Sequence, residues 1–537
     1  MALLRIISFC TSLLLLSICA SAQDGQGLVS CLQQKGITNL TTSTSSSAYD
    51  SLLRFSLQNL RFTEPGVRKP YVLILPYKRE QVVESVRCCI KHGWQIVVRS
   101  GGHSYEGLSS TSDAPNFAII DLINLDRVTV DIKSTTAWAE AGATVGQLYS
   151  AIAGVTTDYG FPAGVCPTMG TGGHFSGGGL SLLSRKYGLA ADNIIDALLV
   201  DANGNLLDRK KMGEDLFWAI RGGGGGSWGV VIAWKVRLVR VPRKVTVFNV
   251  HRTGRNQVTD LVHRWQSIAP NFVQDLFIRA VISGTQLQSG QKDIKLTFNG
   301  MYLGPLDQLL KLAKKSFPEM GIVAGDCEET SWIGSISYTA FTTTSQLDNR
   351  NNSNKSYFKA KSDFVTSPIS PSGLEGAWKF LEEEINSYII FTPLGGRMYE
   401  IASWESPFPH RKGYLYNIQY QVTWSDSSKA SGFIDWIRRF YTYMTPHVSK
   451  NPRGAYVNYL DLDLGTAANG TASVAEARAW CDQYFRGNFE RLVKVKTKFD
   501  PNNVFRNSQS IPVDKSDISL ALLSIPVDKS DISVVLL

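Results

Sequence analysis

Arg99-Ser100-Gly101-Gly102-His103-Ser104-Tyr105-Glu106-Gly107 is the stretch around which the rest of the chain can be organised. It follows an apolar run over 95–98 that reads as a strand, and it crowds glycine and serine around one histidine. Side chains this small let several backbone N–H groups converge on one anion, so a pyrophosphate can be held without a neutralising cation. Ser100, Gly101, Gly102 and Ser104 are the candidate residues of that cradle. Asp121 ends the next strand, and Leu122-Ile123-Asn124-Leu125 turns the chain back. A second cluster, Gly170-Thr171-Gly172-Gly173-His174-Phe175-Ser176-Gly177-Gly178-Gly179, permits the same close approach of backbone to a flat ligand. A third runs from Arg221-Gly222 to Gly226-Ser227-Trp228-Gly229. There, Gly224, Gly226 and Gly229 match the dinucleotide fingerprint in spacing, but they precede a strand over 230–238 instead of opening a helix, so the fingerprint fails its own context. One such loop is as well explained by a tight turn. Three together point to one large nucleotide ligand.

Outward from these loops, 70–241 alternates short apolar strands with amphipathic helices. Strands are predicted at 71–75, 117–121 and 137–141. Helices are predicted at 79–92, where Val82, Val83, Val86 and Ile90 keep helical spacing, and at 145–153, which stops before Gly154. From 246 to 449 the segments lengthen and alternate: 294–301, 395–401 and 414–424 read as antiparallel strands, and 306–315 and 373–386 as helices. A last helix is predicted at 474–489. The segment 510–519 recurs almost unchanged as 524–533, too short and too terminal for a repeat fold, and is expected to be a disordered tail or an artefact of the gene model.

At 537 residues the chain exceeds what one core supports, and 43% hydrophobic with 19% charged residues is an ordinary globular mixture. The formal charge is +9, from 55 basic and 46 acidic residues, yet no Lys/Arg run concentrates it; this argues against nucleic acid and for a surface that attracts acidic or phenolic ligands. Arg5, an apolar run over 6–18 and Ala20-Ser21-Ala22 read as a signal peptide ending before Gln23. That run is too short to span a bilayer, and no later one reaches ~18 apolar residues, so a soluble secreted protein, monomeric and metal-free, is expected. Cys10 and Cys19 leave with the peptide. Of Cys31, Cys88, Cys89, Cys166, Cys327 and Cys481, one bridge, Cys31–Cys88, would pin the mature N-terminus to the first domain, and Cys89, Cys327 and Cys481 are expected as buried inert thiols. Sequons at Asn39, Asn351, Asn354 and Asn469 agree with the secretory pathway.

The motifs, in order, resemble the berberine bridge enzyme-like flavoproteins of plants, which include cannabinoid synthases and monolignol oxidases. They are the run 99–107, Ala163-Gly164-Val165-Cys166-Pro167-Thr168, the run 172–179, Arg185-Lys186-Tyr187-Gly188-Leu189-Ala190-Ala191-Asp192-Asn193, and 213–222. Pro407-Phe408-Pro409-His410-Arg411, Tyr416-Asn417-Ile418-Gln419-Tyr420, Asn458-Tyr459 and Phe499-Asp500-Pro501-Asn502-Asn503 complete the set, which spans 31–512. The resemblance implies an α+β fold: a vanillyl-alcohol-oxidase (PCMH-type) FAD-binding domain over 23–243 with its core at 68–243, an antiparallel-sheet substrate domain over 244–452, and a berberine-bridge-type segment over 453–513 that returns to the FAD domain. The signal peptide, 1–22, and the disordered tail, 514–537, flank them. It implies FAD tethered twice, through His103 to the 8α-methyl carbon and through Cys166 to C6, which raises the flavin's electron affinity and holds the ring open to a bulky substrate. Thr168, Gly172, His174, Ser176, Gly177, Tyr187 and Asn503 are the further FAD-binding candidates. The activity implied is hydride transfer from a phenolic, prenylated or alkaloid-like small molecule to flavin N5, with O2 as acceptor, in the apoplast or vacuole.

For the base, Tyr459 matches the family's catalytic tyrosine, while Asn417, Gln419 and Gln421 share one strand face. Relatives with Glu at the position of Gln419 use it as base, which an amide cannot do. A phenol with its ordinary pKa near ~10 needs a nearby cation to act near neutrality. Here the usual Asn-Tyr-Arg-Asp reads Asn458-Tyr459-Leu460-Asp461, and a lysine of monolignol-oxidising relatives is Asn417, which leaves Arg279 or Arg397 to compensate. Met169 stands where relatives carry Val, Ile or Leu at a position linked to oxygen access, and Leu180-Ser181 replaces Tyr-Gly. Two outcomes stay open: an oxidoreductase, or a flavin-bound cyclase without net redox, like the Diels–Alderases of mulberry-type plants. Trp332, Tyr399, Trp404 and Tyr416 are candidate pocket aromatics.

Overall fold

Val72–Ile74, Phe117–Asp121 and Gln95–Arg99 are almost unbroken apolar runs, and they pair in parallel, buried on both faces, as such runs require. Leu40–Thr42 adds an antiparallel edge. The computed structural model describes residues 25–43, 47–351 and 355–516. The expected signal peptide with Cys10 and Cys19, Asn354, and the repeat from 517 onward lie outside the described residues, as does the side chain of Asn469. The helix Arg79–Lys91 lays Val82, Val86, Cys88 and Cys89 into the core beneath this sheet. Cys31 and Cys88 are disulfide-bonded, tying a helix over 25–34 to that helix. The bridge closes a separation of 57 residues, so Cys31→Ser/Cys88→Ser is expected to lower unfolding stability by about 4 kcal/mol, read by urea titration. Cys89 and Cys481 are buried thiols as expected, whereas Cys327 is half-exposed at a sheet edge.

A second, antiparallel sheet runs Val128–Asp131, Thr136–Glu140, Val230–Arg237, Ile194–Val200, Leu206–Leu207. Helix Val145–Ala153 starts on a reciprocal cap, in which Thr144 accepts from the Gln147 N–H and Gln147 from the Thr144 N–H. Behind these layers stands a seven-stranded antiparallel sheet in the order Cys327–Thr330, Val245–Thr253, Lys292–Tyr302, Leu276–Gln286, Ser387–Pro393, Tyr416–Trp424, Tyr357–Val365. One face buries Ile282, Ile389, Phe391, Tyr416, Ile418 and Tyr420 under the helices Arg255–Ile268, Pro371–Glu383 and Ala430–Met444. Alternation turns Arg279, Val281, Tyr388, Ile390, Gln419 and Gln421 to the other face. The chain end returns to the first layers: Lys496 donates to the Ser227 carbonyl at 2.9 Å, and Phe505 joins the core under the parallel sheet. The whole is an α+β fold, and no helix among the described residues is long and apolar enough to cross a membrane.

Two predicted elements differ. The segment 395–401 is not a strand but a turn into the short helix Arg397–Glu400, because Gly395 (φ +90) and Gly396 (φ +55) reverse the backbone against Pro270 and Arg185. The helix predicted over 474–489 stops at Phe485, where Arg486 takes φ +49, and a second helix, Phe489–Phe499, follows.

Candidate functional site

The loop 99–107 and the loop 166–172 lie backbone against backbone, and that contact is possible only without side chains. A Cβ on Gly101 would run into the Gly170 N–H, and one on Gly170 into Ser100 Oγ and Gly101 N. Gly102 takes φ +70 beside the Ser56 carbonyl, a conformation only glycine holds without strain. The loop is braced from below by Arg99, whose guanidinium pairs with Asp121 at 2.6 Å and donates to the Leu53 and Leu52 carbonyls. Among the described residues, the backbone N–H groups of Gly101, Gly102, His103 and Ser104 donate to no acceptor of the protein. Consecutive unpaired donors on a glycine turn are what a pyrophosphate needs, and the loop fits that group.

Thr168 joins the two expected attachment residues. Its hydroxyl lies 2.9 Å from His103 Nε2 and 3.6 Å from Cys166 Sγ. Burial pushes the His103 imidazole down to about 4, with a smaller opposing effect from its bond to Thr168, so the ring is neutral near pH 7. Nε2 is engaged by Thr168, which leaves Nδ1 as the free nitrogen. Cys166 is a free, half-buried thiol. His174 supports the Cys166 loop: its Nε2 accepts the Gly164 N–H at 2.9 Å, and burial, aided by the neighbouring His103, pushes it down to about 4. The hydroxyls of Ser100, Ser104 and Ser176 are spent on the protein itself, on the Ala141 carbonyl, the Leu108 N–H and the Gly172 carbonyl, and so shape the loops. The third glycine loop docks on the second through Gly224 N–H to the Ser176 carbonyl, 2.9 Å. Gly177 faces the Asn458 amide, whose Nδ2 donates to the His174 carbonyl at 2.9 Å. Tyr187 gives its hydroxyl to the Arg240 carbonyl, and Asn503 (φ +50) donates to Gly470 in the C-terminal loop.

Across from these loops stands the polar face of the large sheet. Tyr459 stacks on Tyr105, ring centroids 5.4 Å apart and 3° from parallel, and meets Tyr456 edge-on at 5.0 Å. Gln419 Nε2 donates to the Tyr105 hydroxyl at 2.8 Å. Asn417, on the same strand face, is fully buried, with its Nδ2 on the Asp363 carbonyl at 2.9 Å. Burial raises the Tyr459 phenol well above its ordinary value, and Arg279 opposes that rise only in part. Arg279 is thus the cation that faces Tyr459, whereas Arg397 sits at the surface, paired with Glu400 at 2.9 Å. Tyr388, also facing Arg279, is pushed up to about 12 by burial. Tyr456, whose hydroxyl accepts from the Gly179 and Leu180 N–H groups, and Tyr388 were not singled out from sequence. The strand that carries Tyr388, Ser387–Pro393, begins just after the helix predicted over 373–386, where no strand was expected. Of the pocket aromatics, Trp332 packs under Gly160 and Tyr149, Tyr416 faces the helices, and Trp404 is 67% exposed; Tyr399 alone joins the cluster that includes Tyr459. The methyl of Met169 occupies the space beside Gly164: a Cβ there would stand 2.6 Å from Met169 Cε.

An FAD binding domain model matches residues 70–209, and a berberine and berberine-like model matches 455–512. Berberine bridge enzyme-like D-2 of Nicotiana tabacum is 47% identical, covering 95% of both chains. Tetrahydroberberine oxidase of Berberis wilsoniae is 46% identical, covering 94% of this chain and 97% of its own. The solved berberine bridge enzyme from Eschscholzia californica superposes with a TM-score of 0.87 at 44% identity, covering 91% and 99% of the two chains. A glycine-to-alanine variant of berberine bridge enzyme, described as a reticuline dehydrogenase, also superposes at 0.87, with 44% identity and 90% and 99% coverage.

Proposed function

The chain belongs to the berberine bridge enzyme-like family of plants and is an FAD-dependent oxidoreductase, and on that premise we propose that it oxidises a phenolic, prenylated or alkaloid-like small molecule where the glycine loops meet the polar sheet face. We further propose that FAD is held covalently at both His103 and Cys166, that residues 23–243 bind it, 244–452 the substrate, and that 453–513 carries Tyr459 back to it. Bound there, FAD would supply the two-electron acceptor for that oxidation, with O2 as the terminal acceptor. The observation that carries this reading is the Thr168 hydroxyl, bonded to one attachment residue and touching the other, with the Tyr459–Tyr105 stack opposite.

The residues divide the remaining work. The neutral His103 keeps an unprotonated nitrogen available for a bond to carbon. Gln419 fixes the Tyr105 hydroxyl, Tyr105 fixes the plane of the Tyr459 ring, and Tyr459 takes the substrate proton with Arg279 favouring its ionised form. Entry into the secretory pathway fits the N-terminal sequence, and among the described sequons Asn351 is exposed while Asn39 is engaged with the Leu75 carbonyl.

Met169 limits access of oxygen, since its methyl fills the space a side chain on Gly164 would take. Met169→Val is expected to raise the rate of reoxidation by O2 on the order of tenfold, in stopped flow, while anaerobic reduction stays unchanged.

The general test is to mix the purified flavoprotein anaerobically with candidate phenols and alkaloids and follow the visible flavin band. Bleaching is the expected result. Product formation with an unbleached band and no peroxide would instead support a non-redox 4+2 cycloaddition, a second reading favoured by one observation: burial holds both Tyr459 and Tyr388 protonated.

A further inference from the structure

Buried cations in this protein have partners. Arg99 pairs with Asp121, Lys359 with Glu106 and Asp461, Arg411 with Asp192, Arg453 with Asp363 and Lys496 with Asp500. Arg185, without a carboxylate, is saturated by the carbonyls of Leu394, Phe272 and Pro270. Arg279 is different. It projects from the polar face of the large sheet, and among the described residues it forms no ion pair or hydrogen bond, while its Nε is buried with no acceptor. Asn299, directly opposite on the neighbouring strand, does not hold it: the Asn299 amide donates to Asn249 at 2.8 Å and its own Oδ1 stays unpaired. The groups that interact with the Arg279 charge are the phenols of Tyr459 and Tyr388, and burial keeps both in their neutral forms near pH 7.

Arg279 is half-buried, and its Nε is shut off from water with no acceptor, which carries a desolvation cost. The cost is offset when a ligand brings the missing anion, and a guanidinium is shaped for the two oxygens of a carboxylate. We propose that Arg279 is a substrate-binding residue that pairs with a carboxylate on the molecule to be oxidised, so that the preferred substrates are aromatic acids rather than neutral phenols. This rests on the assignment of the polar sheet face as the substrate site.

The test is calorimetric titration of the FAD-loaded protein near pH 7 with 4-hydroxybenzoate and with its neutral methyl ester. The parent should bind the acid about 30-fold or more tighter than the ester, Arg279→Gln should abolish that difference while ester affinity changes little, and Arg279→Lys should keep part of it. Equal affinities in the parent, or a preference for the acid that persists in Arg279→Gln, would overturn the proposal. Should Arg279→Gln fail to fold, the parent ratio and Arg279→Lys decide it. Acid selectivity without flavin bleaching by any acid would keep Arg279 as a carboxylate-binding residue but count against oxidation of the bound acid at this site; bleaching without acid selectivity does the reverse.

Discussion

Tyr459→Phe will slow anaerobic flavin reduction by about 10²–10⁴-fold, the range a positioned general base contributes, with flavin content unchanged. The ring stack on Tyr105 and the edge contact with Tyr456 do not need the hydroxyl, so the variant keeps its packing and loses only the proton acceptor. The pH dependence gives the sign. A base works deprotonated, and burial raises the Tyr459 phenol more than Arg279 lowers it, so near neutrality only a small fraction is ionised. Reduction by the parent should therefore climb with pH, approaching tenfold per unit through the alkaline range, while the phenylalanine variant stays flat. A flat parent profile, or a loss below threefold in the variant, would remove Tyr459 from the chemistry.

The second large effect is on cofactor retention. His103→Ala/Cys166→Ala is expected to release all its flavin on acid precipitation, and Cys166→Ala to keep it through His103 alone. Each single variant should also have a lower flavin midpoint potential, where about 30 mV corresponds to a tenfold change in a two-electron equilibrium. Thr168→Val tests the bridge between them. It removes the hydroxyl that holds His103 Nε2 at 2.9 Å and should lower covalent incorporation without removing either attachment residue. Absorbance of the precipitate and supernatant reads both.

Much of this was legible because it depends on local chemistry. The glycine loops announce themselves: Gly101 and Gly170 admit no Cβ, and a sequence can show that need without showing what meets there. Helix Val145–Ala153 was legible from its stop before Gly154, and the Cys31–Cys88 bridge from the need to pin the N-terminus to the first domain. The errors have equally local causes. Met398 and Ile401 gave 395–401 an apolar look, but two left-handed glycines turn it; Arg486 adopts φ +49 where a charged residue gave no warning of a break. The site's other half was not legible. Arg279 and Tyr388 are neighbours only because Leu276–Gln286 pairs with Ser387–Pro393 across about a hundred residues, and no periodicity within either strand reveals that pairing. The same holds for Tyr105 and Tyr459, whose stack joins the first loop to the C-terminal segment.

The most direct measurement is mass spectrometry of proteolytic peptides from protein made in a eukaryotic secretory host. Two peptides, one with residue 103 and one with residue 166, joined through a single FAD are predicted. Both peptides at their unmodified masses, from a colourless protein, would contradict the account.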